Sequence, residues 1–109
     1  MDFIMEHQFD QTKNGWLIDI SGEVDIFNSE KMKSRFLDII ESKKADLYVS
    51  CRNLEYIDST ALGALVTVLK HVKAYGGEIY LKSIKPSIAK LFKITNLNQV
   101  FIIEGDANE

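Results

Sequence analysis

"YIDSTALGALVTVLKHV", Tyr56 to Val72, decides how this chain is read. It opens as the end of a buried strand, turns at Asp58, Ser59 and Thr60, and continues with apolar residues at helical spacing. On a wheel at about 100° per residue, Leu62, Leu65, Val66, Leu69 and Val72 share one arc, which is the core face. The opposite arc holds Thr60, Gly63, Ala64, Thr67, Lys70, His71 and Ala74. An ordinary solvent face carries several Glu and Lys residues in stabilising pairs, and this one has a single lysine. Gly63 costs the helix about 1 kcal/mol relative to alanine. A glycine there fits the close approach of another surface. That surface is either a partner or another helix of the same domain.

The same alternation of patterns continues on both sides. "FIMEHQF" places Phe3, Met5 and Phe9 on one side and Ile4, Glu6 and Gln8 on the other, as a strand does. "TKNG" reads as a hairpin turn, and "WLIDIS" returns with Trp16, Ile18 and Ile20 on one face. The period then changes. Asn28 or Ser29 can cap a helix, and Met32, Phe36, Ile39 and Ile40 recur at helical spacing. Lys43 and Lys44 fall near its end, where the helix dipole favours cations.

"ADLYVSC" is a short β-rich run, and "RNLEYID" leads from it into the opening stretch. Gly76-Gly77 stops that helix near Tyr75. "EIYLKSI" is a further strand. "KPSIAKLFKITNL" places proline at a first helical turn, with Ile88, Leu91, Phe92 and Leu97 as an apolar stripe. "QVFIIE" is the last strand, and residues 105–109, "GDANE", read as a flexible tail. The order β-β-α-β-α-β-α-β predicts an α/β fold. Its sheet is mixed and mostly parallel, of about five strands, with an N-terminal hairpin and right-handed crossovers.

Bulk properties narrow the function classes. The chain has 109 residues, the size of one domain, so residues 1–109 read as a single unit. Its formal net charge of −3 argues against a protein that binds nucleic acid directly. The single cysteine, Cys51, excludes an internal disulfide and suits a reducing compartment. The start "MDFIMEHQFD" carries acids and no apolar run, unlike a signal peptide, and Ser59 to Leu69 is too short to span a bilayer. The expectation is a cytoplasmic protein without membrane insertion.

Three chemistries compete for Asp58, Ser59 and Thr60. Asp and Ser are preferred N-caps, worth about 1 kcal/mol against alanine, but one cap does not need all three residues. A catalytic serine needs a histidine base. His71 lies twelve residues beyond Ser59 on the same helix, about 18 Å away at about 1.5 Å per residue. His7 sits in the hairpin without an orienting acid, and Ile57 and Ala61 replace the glycines of a nucleophile elbow. The histidines and cysteine lack zinc spacing, and no phosphate-binding glycine loop opens a helix. No cofactor, metal or catalytic residue is assigned. Glu23 and Asp25 in "SGEVDIFNS" read as turn and helix-entry residues or as acid–base groups. The third chemistry is a phosphorylation switch on Ser59. Phosphate adds about −1.5 to −2 charges, which free N–H groups at a helix start tolerate and an opposing partner does not.

"IDSTALGALV" strongly resembles the signature of STAS domains, the fold of anti-sigma-factor antagonists. "SGEVD", Ser21 to Asp25, matches the family's Gly-Glu-apolar-Asp segment. "GGEIYLKSIKPSIAKLFKITNL" resembles its C-terminal half, including Leu91-Phe92. The likeness spans nearly the whole chain, with three motifs in order. Ala61 stands where many members have glycine.

The resemblance implies a non-enzymatic regulator. In such antagonists the serine after the motif Asp is phosphorylated by the anti-sigma factor, itself a serine kinase, and a serine phosphatase resets it. That maps to Ser59, with Thr60 as second choice. The unmodified form binds the anti-sigma factor and frees the sigma factor. The implied partner surface includes Glu23, Asp25, Asp58, Thr60, Gly63 and Thr67. The family also contains adaptor subunits of lipid-transport and stress-signalling complexes that work without a phospho-switch, and this remains the alternative expectation.

Overall fold

The computed structural model describes residues 2–106. The chain enters as a hairpin, β1 (Phe3–Asp10) and β2 (Gly15–Val24), paired antiparallel from Phe3↔Gly22 to Asp10↔Gly15. Asn14 takes the left-handed conformation that the turn requires, with φ 54°. The order continues α1 (Ser29–Ser42), β3 (Asp46–Ser50), β4 (Leu54–Ile57), α2 (Ser59–Ala74), β5 (Ile79–Ile84), α3 (Pro86–Ile94), a short 3-10 turn (Leu97–Gln99) and β6 (Ile102–Asp106).

The sheet runs β1-β2-β3-β5-β6, and every pairing beyond the hairpin is parallel. This is the mixed, mostly parallel α/β sheet expected, with six strands where about five were read. The sixth is β4, which pairs with the far end of β2 (Gly22↔Leu54, Val24↔Ile57). Ten residues long, β2 serves β3 with its first half and β4 with its second. A register shift interrupts the pairing with β4 between Gly22 and Glu23, and Gly22 has φ 96°. An added Cβ at Gly22 would run into the carbonyl of Asp2. Of the tail expected over 105–109, Gly105 and Asp106 instead belong to β6, and residues 107–109 lie outside the described residues.

All three helices cover one face of the sheet. Val49 and Leu81 of the sheet meet Met32 and Phe36 of α1, Leu65 of α2, and Ile88 and Phe92 of α3 around one shared core. Alternation in β3 and β5 puts Leu47, Val49, Ile79 and Leu81 inside. Their neighbours Tyr48 and Tyr80 lie on the open face, stacked at 4.7 Å between centroids. Asn28 does cap α1, but through its backbone: its side chain makes no cap bond. Lys43 stands just past the last turn of α1, where its ammonium lies 4.1 Å from the Phe9 ring centroid and its carbonyl accepts from Trp16 Nε1 at 2.9 Å.

Candidate interaction site

Parallel pairing of β4 with β2 brings the end of β2 beside the start of α2. The Asp58 backbone N–H donates to the Val24 carbonyl at 3.3 Å. Asp58 is the N-cap of α2, extended at φ −103°, ψ −177°. Its Oδ1 accepts from the Ala61 N–H at 2.8 Å, satisfying one of the donors a helix start leaves free. Its Oδ2 accepts from the Ile26 N–H at 3.0 Å, thirty-two residues earlier. One carboxylate therefore ties the loop before α1 to the start of α2.

That loop is itself closed by hydrogen bonds. The Asp25 N–H donates to Asn28 Oδ1 at 2.8 Å, and the Phe27 N–H donates to Asp25 Oδ1 at 2.9 Å. The Asp25 carbonyl accepts from the N–H groups of Asn28 and Ser29. Asn28 Nδ2 donates to the Glu23 carbonyl at 3.0 Å and reaches Asp2 Oδ1 at 3.4 Å. Asp2 also accepts from the Phe3 N–H, and this bond is the main cause holding its carboxyl below the usual carboxylate range. Asp25 thus organises the turn, while the half-buried Glu23 side chain has no bonded partner among the described residues.

Ser59 and Thr60 open α2, and both are exposed. Neither hydroxyl has a hydrogen-bond partner among the described residues, because Asp58 does the capping. Gly63 is exposed, and a Cβ built there meets nothing within 4 Å. Packing inside the domain does not require that glycine. Thr67 is half-buried and donates its hydroxyl to the Gly63 carbonyl at 3.3 Å. Ala64, which the wheel puts on the outer arc, is buried at 8 % exposure. Helix α1 packs alongside α2, so intradomain helix packing claims one flank of the arc. The flank of Ser59, Thr60 and Gly63 stays open.

The sequence reading missed three exposed apolar residues around this point. Phe27 is 94 % exposed, Ile26 62 % and Tyr56 50 %. Tyr56 stands opposite Glu23 in the β2–β4 pairing. The available signal was that Ile26 and Phe27 precede a helix cap and belong to no strand or helix period.

The histidines lie elsewhere. His7 is exposed on β1 with its ring edge-on to Trp16, centroids 5.6 Å apart. His71 is exposed near the end of α2 and contacts the Thr67 carbonyl at 2.9 Å. Burial pushes the Cys51 thiol up to about 12. Among the described residues no cluster of His, Cys, Asp or Glu could hold a metal ion, and no helix is long and apolar enough to cross a membrane.

Comparison with known proteins gives the arrangement relatives. A family model, the STAS domain, matches residues 7–109. The chain is 31% identical over 95 residues to the anti-sigma-B factor antagonist of Bacillus subtilis, covering 87% of this chain and 86% of that one. An anti-sigma factor antagonist from Mycobacterium paratuberculosis superposes with TM-score 0.79 at 16% identity, over 94% of this chain and 85% of that one. The phosphorylated form of the Bacillus cell fate determinant SpoIIAA superposes with TM-score 0.68 at 19% identity, over 94% of this chain and 91% of that one.

Proposed function

The chain belongs to the STAS-domain family, and from that premise we propose that it acts in the cytoplasm as an anti-sigma-factor antagonist, a binding protein rather than an enzyme. Residues 1–109 work as one domain. Its unmodified form binds an anti-sigma factor that is also a serine kinase, so that the sigma factor is released. Phosphate on Ser59 ends the interaction, and a serine phosphatase restores it. Thr60 is the second candidate acceptor.

The observation that carries this reading is the Ser59 hydroxyl: exposed, unbonded among the described residues, and first in a helix already capped by its neighbour. Transfer moves the γ-phosphoryl of ATP to Ser59 Oγ, whose proton leaves as ADP departs. For this the hydroxyl must lie against the bound nucleotide. Afterwards a group of about −1.5 to −2 charges faces the nucleotide phosphates and the surface that excluded water from it. A loss of about 4 kcal/mol weakens binding roughly a thousandfold. The fold tolerates the modification, because the free N–H groups and dipole of α2 favour an anion at its start. Relatives named as antagonists and a neighbouring fold with a phosphorylated form support the reading.

The test uses the anti-sigma factors of the source genome, purified one at a time. Titration calorimetry is expected to find one that binds the wild-type chain. Incubation with that protein, Mg²⁺ and ATP is expected to add phosphate to Ser59, read by peptide mass spectrometry. Ser59→Asp should bind about a hundredfold or more weaker with an unchanged melting temperature. A Ser59→Asp chain that binds as tightly as wild type would overturn the charge-block mechanism. Phosphate on neither Ser59 nor Thr60 would overturn the switch.

A further inference from the structure

Isolated exposed apolar side chains such as Ile4, Ile94 and Val100 are ordinary on a protein surface. Ile26 and Phe27 differ in three ways. They are consecutive, and both are exposed, at 62 % and 94 %. They sit on a turn whose backbone is held by Asp25, Asn28 and Asp58. Through Asp58 that turn is bonded to the residue preceding Ser59. A fixed turn carrying an exposed phenyl ring loses little conformational freedom on docking, the condition under which an aromatic side chain contributes most to binding.

The charges around the patch indicate what covers it. The Asp25 and Asp58 carboxylates accept from the Phe27 and Ile26 N–H groups, and Glu23, tied to the same turn through its carbonyl, has a carboxylate with no bonded partner among the described residues. The neighbouring lysines are already matched by carboxylates, Lys31 by Asp2 at 3.8 Å and Lys33 by Glu30 at 3.0 Å. An apolar patch with an acidic rim complements an apolar pocket with a cationic rim.

We infer that Ile26 and Phe27 are the anchor by which this chain docks into a hydrophobic pocket, rimmed by arginine or lysine, on its partner protein, and that Asp58 holds the anchor in register with Ser59. The inference rests on the proposed antagonist function and names which part of that surface carries the binding energy. Ser59 lies at the anchor's border and meets the partner's nucleotide. Phe27 meets the pocket and supplies affinity. Asp58 is a positioning residue, and its carboxylate faces inward to two backbone N–H groups.

The test is titration calorimetry of wild type, Phe27→Ala, Ile94→Ala and Glu23→Gln against the anti-sigma factor that binds wild type. Phe27→Ala should bind about thirtyfold or more weaker, as truncation of a central aromatic does. Ile94→Ala, which removes an equally conspicuous apolar side chain elsewhere, should bind within twofold of wild type. Because Phe27 is 94 % exposed, its truncation should leave the melting temperature unchanged, so lost binding cannot be lost folding. Glu23→Gln should flatten the fall in affinity between 50 and 300 mM salt, by about one screened contact. Phe27→Ala binding within threefold of wild type overturns the anchor while leaving the antagonist function standing. Failure of wild type to bind any anti-sigma factor overturns both. A concentration-dependent dimer in analytical ultracentrifugation that Phe27→Ala abolishes would put a second copy of the chain on the patch, and overturns the proposal as well.

Discussion

Asp58 accepts two backbone hydrogen bonds with two different oxygens, and substitution can separate them. Asparagine caps helices about as well as aspartate, so Asp58→Asn keeps the bond from Ala61. Its amide nitrogen then faces the Ile26 N–H, donor against donor. That N–H is at the surface, where water replaces part of what is lost, so the cost falls at the low end for a hydrogen bond, about 0.5–1 kcal/mol. Asp58→Ala removes the cap as well, adding about 1 kcal/mol. For a chain of this size about 1 kcal/mol shifts the melting temperature by about 4 °C. Asp58→Asn should therefore melt about 2–4 °C below wild type and Asp58→Ala about 6–8 °C below it.

Calorimetry measures the totals, and amide exchange by NMR locates them. In Asp58→Asn the Ile26 amide should exchange up to about fivefold faster, while Ala61 stays protected. In Asp58→Ala both should accelerate. Unchanged exchange at Ile26 in Asp58→Asn would refute the bond between the loop and α2, and with it the register assigned to the anchor. Equal melting temperatures for the two variants would refute the cap.

Two further outcomes follow from single sites. Gly63→Ala places a Cβ in open space, so the free chain should gain about 1 kcal/mol and melt about 4 °C higher; a partner that approaches the α2 backbone closely should bind this variant more weakly, and unchanged affinity would remove Gly63 from the interface. Cys51 is 2 % exposed with its thiol at about 12, so the native state keeps a proton that the unfolded state, titrating near about 8.5, releases. Its contribution to stability is full below about pH 8.5 and falls as pH rises towards about 12; iodoacetamide at pH 9 should label it only after unfolding in urea, and native labelling at the rate of a free thiol would refute its burial.

The hairpin, the three helices and their buried faces were legible because each repeats a local pattern. Met32, Phe36, Ile39 and Ile40 keep the helical period, and Trp16, Ile18 and Ile20 keep the strand period. Strand β4 was legible only as a strand end at Tyr56 and Ile57 and not as a separate strand, since four residues carrying Glu55 and Tyr56 outward show no full alternation. It is a strand because β2 extends far enough to pair with it, a contact between segments thirty-two residues apart. Ala64 is buried in a fold where α1 packs alongside α2, and a wheel of one helix contains no neighbour.

The order of Asp58, Ser59 and Thr60, the family signature around them and the sparse charge of one helix arc are properties of the chain itself, and they suffice to name the family and a candidate hydroxyl. Which part of that arc remains open, which carboxylate caps and which braces a distant loop, and that Phe27 stands almost wholly in solvent beside the site were decided by tertiary structure. The physical reason is range: period and capping act over the three or four residues of a helical turn, whereas burial, bracing and exposure depend on segments that only the folded sheet brings together.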